Sequence, residues 1–227
     1  MLISAMVGID LRNTLDMDAT IRGFELSKEN LVKILNEILS TDIGDEVEFE
    51  ILMIKDIRDE EDYQGYRVTI NGLFYSIFQK FKIDITTGDV ITPKEIEYKF
   101  GLLFEDRKIN VLAYNLETVI SEKFEGIITK GIANTRARDY YDIYILEKFQ
   151  KENINNKILK QAIINKFKER QTYDYLEKIN EQIQSIENSE ELKEIWENYQ
   201  SKFSYAEDIS YADIIRVIKD IAINIKS

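Results

Sequence analysis

Apolar and polar positions alternate with two different periods along this chain, and the period changes near residue 116. Before that point the pattern is mostly that of strands. Leu15, Met17, Ala19 and Ile21 fall on one side of a run whose other side carries Asp16, Asp18 and Thr20, because strand side chains repeat every two residues. Residues 47–51, 66–70 and 79–86 alternate in the same way, the last with Phe81, Ile83 and Ile85 inward and Lys82, Asp84 and Thr86 opposite. Two further extended runs, 96–104 and 108–113, are joined by a hairpin through 105–107. One early helix interrupts the strands. Ser27 is its N-cap, Leu31, Ile34, Leu35 and Ile38 its apolar stripe, and Ser40 its end. The acidic run 59–62 reads as a solvated loop.

From Leu116 the period becomes helical. Leu116, Ile120, Phe124, Ile127 and Ile128 form a stripe that Gly131 stops. Lys123 lies within that stripe, where a lysine needs an anionic partner or a route to water. A second helix over 136–146 carries Asp139 and Asp142 on one face, with Arg138 beside them. Apolar stripes over 158–167, 175–186, 192–203 and 214–225 predict a four-helix C-terminal bundle. The expected fold class is α+β, with a sheet domain over 1–150 and a helical domain over 151–227.

Composition narrows the chemistry. With 227 residues and 44% hydrophobic residues the chain can bury a sizeable core. It has no Cys and no His, which removes disulfides, thiolate or imidazole zinc sites and histidine-based triads. Catalysis must rest on carboxylates, Lys, Arg, Tyr or a metal. The apolar start runs into Asp10 and Arg12 without a basic leader, so a cytoplasmic protein with no membrane segment is expected. The net charge is −12, and residues 151–227 carry 12 Lys+Arg against 14 Asp+Glu, which leaves most of the acidity in 1–150. A nucleic-acid partner would therefore need a local basic patch. Lys157, Lys160, Lys166, Lys168 and Arg170 form the candidate, weighed against a plain solvated helix surface.

Asp16 and Asp18 on one strand, with Asp84 on a neighbour, offer three oxygen donors to a hard cation such as Mg²⁺. Two metal ions held so can clamp the attacking and leaving oxygens of an in-line displacement at phosphorus. Lys123 is the candidate cation for a triphosphate, and Asp139 or Asp142 can orient it, position a base or take a proton.

Four segments occur in order: Arg12-x-Thr14-x-Asp16-Met17-Asp18, Ile83-Asp84-Ile85-Thr86-x-Gly88-Asp89, Glu117-Thr118-Val119-Ile120-Ser121-Glu122-Lys123 and Arg136-x-Arg138-Asp139-Tyr140-Tyr141-Asp142. Together they resemble the AbiEii family, nucleotidyltransferase toxins of bacterial toxin–antitoxin and phage-abortive-infection systems, related to the MenT toxins. The resemblance covers roughly residues 1–150. It implies a minimal nucleotidyltransferase fold, Mg²⁺ on Asp16 and Asp18 with Asp84 as third carboxylate, and catalytic roles for Asp16, Asp18, Lys123 and Asp139. Thr14, Lys123, Arg138 and Asp142 are the implied nucleotide contacts. The implied substrates are a nucleoside triphosphate and RNA, with the acceptor end of tRNA foremost, and the implied partner is an antitoxin encoded nearby.

The family's first motif opens with a Gly-Gly or Gly-Ser just ahead of the segment that residues 1–4 resemble, and the chain begins after it. A second reading is accordingly a shortened, inactive copy that binds antitoxin or nucleotide without transfer. A third is a metal-dependent phosphohydrolase or nuclease, since clustered carboxylates serve hydrolysis as well.

Overall fold

One helix lies among the four strands that precede residue 90, because the apolar side of their sheet needs a cover. A computed structural model describes residues 2–12, 16–23, 25–44, 46–58, 64–102 and 106–226; for Asp16, Arg58, Gln64 and Lys226 it describes the backbone alone. The α+β class is borne out. By its contacts the chain divides into two units, Thr14–Asp89 and Val90–Ser227, the latter joined by Leu2–Asn13 and its helix α1 (Leu2–Val7).

The first unit contains β1 (Asp16–Ile21), α2 (Lys28–Leu39), β2 (Glu48–Arg58), β3 (Gln64–Phe74) and β4 (Ile77–Thr87). The four strands form one mixed sheet in the order β1-β4-β3-β2, with β1 parallel to β4 and the other pairs antiparallel. Ser27 caps α2 as expected, its hydroxyl accepting from the Asn30 amide at 3.2 Å. Leu26, Leu31 and Leu35 pack with Tyr66, Val68, Ile70 and Ile85 and close one face of the sheet. Ile38 is the exception in the predicted stripe. It lies in the last turn of α2 and stays exposed.

The strands are longer than their alternating cores. β2 runs on through a bulge between Ile51 and Met53, and the extra residue lets both Ile51 and Ile54 pack toward the core. β3 and β4 close through Tyr75-Ser76, with Tyr75 at φ +52°, the positive φ that a tight hairpin requires. The loop expected over 59–62, like Thr14 and Phe104, lies outside the described residues.

The second unit opens with the hairpin β5 (Ile96–Gly101) and β6 (Lys108–Ala113). Helices follow: α3 (Leu116–Lys130), α4 (Ala137–Gln150), α5 (Asn156–Glu169), α6 (Asp174–Glu177), α7 (Ile179–Glu187), α8 (Glu190–Lys202) and α9 (Tyr211–Lys226). Ile120, Phe124, Ile127 and Ile128 of α3 are fully buried with Tyr141 and Leu146 of α4, Ile163 and Phe167 of α5 and Ile218 of α9. Each such side chain contributes roughly 1.5–3 kcal/mol. This shared core runs across the boundary expected at residue 150. α3 and α4 share their apolar faces with the later helices, so the contacts divide the chain between Asp89 and Val90. The helix expected over 175–186 is likewise two, α6 and α7, parted at Lys178. No helix among the described residues is long and apolar enough to cross a membrane.

Candidate functional site

α3 owes its start to Asn115, whose side chain accepts from the Thr118 amide at 2.8 Å while donating to the carbonyls of Thr92 and Lys94. That cap sets the rotation of the helix. Lys123 is thereby presented to α4, where its Nζ lies 2.9 Å from Asp139 Oδ1 and 2.8 Å from Asp142 Oδ2. The spacing of three along α4 puts both carboxylates on the face that meets the lysine.

Asp142 has no exposed surface and is held from its other side by Arg12. The Arg12 Nε lies 2.5 Å from Asp142 Oδ1, and Nη2 donates to Oδ2 at 3.2 Å. Arg12 is itself buried and follows α1, which Gln150 ties to α4 through the Met6 carbonyl. The Tyr141 hydroxyl donates to the neighbouring Leu11 carbonyl. The result is a line of alternating charge, Arg12, Asp142, Lys123, Asp139. Burial opposes the charge on Lys123, but Asp142 and Asp139 outweigh it and hold the ammonium above the ordinary lysine pKa. For Arg12 burial is likewise the largest influence and acts downward; the hydrogen bond and charge of Asp142 reverse it, and the net pKa is raised. Both cations stay protonated across the physiological range.

In the sheet unit the register decides which carboxylates meet. Asp18 pairs with Asp84 across β1 and β4, and Asp16 pairs with Lys82. Partners on adjacent strands stand on the same side of a sheet about 4.8 Å apart, so Asp18 and Asp84 present oxygen donors at a separation one divalent ion can bridge. That donor set suits Mg²⁺. The third side chain, Asp16, lies outside the description, and among the described residues no three acidic side chains form a metal-binding group. Asp84 already has a cation: Arg67, its partner on β3, reaches both carboxylate oxygens at 2.6 Å. Next along the same strands, Asp89 Oδ2 accepts from the hydroxyls of Thr20 and Thr86, each at 2.7 Å. This bond ties the chain leaving β4 back to both strands.

The basic patch predicted on α5 does not hold as drawn. Lys166 is 1% exposed, with Nζ 2.7 Å from Glu169 and 3.2 Å from Glu122, because it stands on the stripe of Leu159 and Ile163 that packs inward. Arg170 Nη1 is 2.6 Å from Glu125 Oε2, a buried carboxylate that also accepts from Thr172. Lys157 and Lys168 are exposed and Lys160 is half-buried, with Lys168 over the Tyr173 ring. Arg138 is half-buried in the first turn of α4.

Sequence reasoning gave no role to Arg12, Arg67 or Asp89. Arg12 and Asp89 stood in the motifs without assigned partners. Arg67 carried a signal in its place on the polar side of an alternating strand, but its partner followed only from the register.

Two Helicobacter pylori structures are similar to the chain. JHP933 has a TM-score of 0.47 and 15% identity over 100% of this chain and 83% of that one. A second, which carries a provisional nucleotidyltransferase name, has a TM-score of 0.44 and 15% identity over 96% and 84%. No curated protein matches the chain. The family model of the AbiEii nucleotidyl transferase toxins, type IV toxin–antitoxin system, matches residues 1–217, and the chain belongs to that family.

Proposed function

We propose that the chain is a Mg²⁺-dependent nucleotidyltransferase toxin that moves a nucleotide from a nucleoside triphosphate onto RNA, with the acceptor end of tRNA as first substrate, and that an antitoxin encoded beside it restrains it. Family membership supports nucleotidyl transfer. The observation that carries the assignment of roles is Lys123, kept charged between Asp139 and Asp142. An ammonium has three donors. Two point at the carboxylates, and the third is left for a phosphate oxygen.

In this reading Asp16, Asp18 and Asp84 would hold Mg²⁺, which supplies charge neutralisation at the phosphates and orients them. Thr14 and Arg138 contact the nucleotide. An RNA hydroxyl oxygen bonds to the α-phosphorus, the bond from that phosphorus to the oxygen bridging toward the β-phosphate breaks, and pyrophosphate leaves. The two aspartates of α4 then differ in role. Asp142 is fully buried with both oxygens engaged by Arg12 and Lys123, which suits an anchor. Asp139 is 21% exposed and engages Lys123 through Oδ1, which leaves Oδ2 to accept the hydroxyl proton. Lys123 stabilises the charge that builds on the phosphate oxygens in the transition state.

A binding-only reading draws on Arg67, which already neutralises Asp84. One experiment separates them. The purified chain is incubated with Mg²⁺, total bacterial tRNA and each α-labelled nucleoside triphosphate in turn, and the RNA is resolved on a denaturing gel. Label on RNA is the expected result and names the donor. Free labelled nucleotide in place of labelled RNA would make the chain a hydrolase, and unreacted triphosphate would favour binding alone.

A further inference from the structure

One face of the four-stranded sheet is covered by α2, while the opposite face carries an ordered row of side chains that the reading above leaves unused. On β4 that row is Phe78, Lys80, Lys82 and Asp84, each two residues from the next and so on one side of the strand. Phe78 is 67% exposed, and Lys80 and Lys82 are exposed as well. At about 6.6 Å per two residues the row measures about 20 Å from Phe78 to Asp84. Its partners on β3 are Leu73, Asn71, Thr69 and Arg67, so no acid faces the row from that strand. Lys55, opposite Arg67 on β2, adds a third lysine to this face. Glu48 and Glu50 stand on β2, two strands away or about 10 Å, while on β1 Asp16 is the register partner of Lys82 and Asp18 that of Asp84, so acid positions flank the row at its Asp84 end.

In a chain of net charge −12, a run of lysines leading to carboxylates is a local reversal of sign. An exposed aromatic ring at the far end of such a run is the arrangement that single-stranded nucleic acid recognises. Lysines meet successive phosphates, and the ring stacks on a base whatever its identity. The alternative basic surface on α5 has lost Lys166 and Arg170 to buried acids.

We propose that this sheet face, along Phe78, Lys80 and Lys82 toward Asp84, is the track on which the single-stranded end of the acceptor RNA lies. The proposal rests on RNA being the acceptor. Its test is fluorescence anisotropy of a labelled single-stranded RNA of about 12 nucleotides, titrated with the full chain over a series of salt concentrations, with circular dichroism as the folding control. The Lys80→Ala/Lys82→Ala variant is expected to bind at least about tenfold more weakly and to lower the salt slope by about 1.4, the value for two phosphate contacts on a single strand. Phe78→Ala should weaken binding about fivefold or more with the slope unchanged. Lys157→Ala/Lys168→Ala should bind as the parent does. Parent-like affinity and slope in the Lys80/Lys82 variant would overturn the track while leaving RNA as acceptor. A parent chain that binds no RNA would overturn the acceptor reading and the track with it. Loss of antitoxin capture with RNA affinity intact would assign the face to the protein partner instead.

Discussion

Lys123 of α3 and Asp142 of α4 lie 2.8 Å apart, the carboxylate closed to solvent and the lysine with 19% of its side chain exposed. One partner is thus placed to hold and the other to reach outward. The two should fail differently when replaced. Asp142→Ala takes away the buried carboxylate that Arg12 and Lys123 share, and removing one member of a buried pair costs about 3–5 kcal/mol. Urea unfolding should show a midpoint shift of that size.

Lys123→Met keeps the aliphatic stem and leaves Asp142 paired with Arg12. Nucleotidyl transfer is expected to fall at least about 100-fold, the scale of losing one preorganised charge at a reacting centre. The unfolding midpoint should move less than in Asp142→Ala. Equal damage to both properties would make Lys123 a structural residue only.

Arg67 and Asp84 are 49% and 28% exposed, and pairs that open to solvent contribute about 0–1 kcal/mol. Arg67→Ala should therefore leave stability nearly unchanged. By freeing Asp84 it should tighten Mg²⁺ binding several-fold in isothermal calorimetry, because an adjacent cation and a bound metal compete for one carboxylate. Asp18→Ala should weaken metal binding in the same titration. If Arg67→Ala leaves the metal affinity where it was, Asp84 is not a metal ligand.

Alkaline pH offers another test. Burial pushes Tyr140, Tyr141, Tyr199 and Tyr211 well above the ordinary tyrosine range, and Lys123 is also raised. For each of these groups the folded state keeps its proton longer than the unfolded chain. The stabilisation is full below the unfolded values, about 10 for Tyr and 10.4 for Lys, and is lost as pH rises beyond them. With no His and no Cys to titrate, stability should be nearly flat from about pH 6 to 9 and fall steeply above about 10. A guanidinium unfolding series across pH, followed by phenolate absorbance, checks both limbs.

Asp89 accepts two hydroxyls through one oxygen. Asp89→Ala would remove the carboxylate that both hydroxyls share, while Thr20 and Thr86 remain 3.2 Å from each other. The expected cost is about 1.5–3 kcal/mol in thermal unfolding, the range for hydrogen bonds to charged groups.

What could be read from the chain before its fold was known depended on whether the signal was local. Asp16 and Asp18 advertise their strand through period two, Ser27 sits at a helix start, and Lys123 stands out in an apolar stripe. Lys166 carries the same signal, three residues past Ile163 and one before Phe167, and it is buried for the same reason. The Arg12–Asp142 pair spans 130 residues, and nothing in either neighbourhood names the other. The Arg67–Asp84 pair depends on register, and the bulge after Ile51 interrupts the alternation by which register on β2 would be counted. The division at Asp89 was hidden because α3 and α4 carry the motifs of the sheet unit while burying their apolar faces with the later helices.

β1 is an edge strand of its sheet, with β4 as its one neighbour among the described strands. A strand with one neighbour opens locally at lower free energy than one with two, so its amides exchange with solvent sooner than those of β3. Ligands that bind only the closed form shift such an opening by mass action. Metal and nucleotide would then do more than occupy a site: by holding Asp18 they would slow exchange along β1 and leave β3 unaltered. Under the proposed function, folding of that strand and ligand loading would become one equilibrium, and a partner that pulled β1 from β4 would act on both.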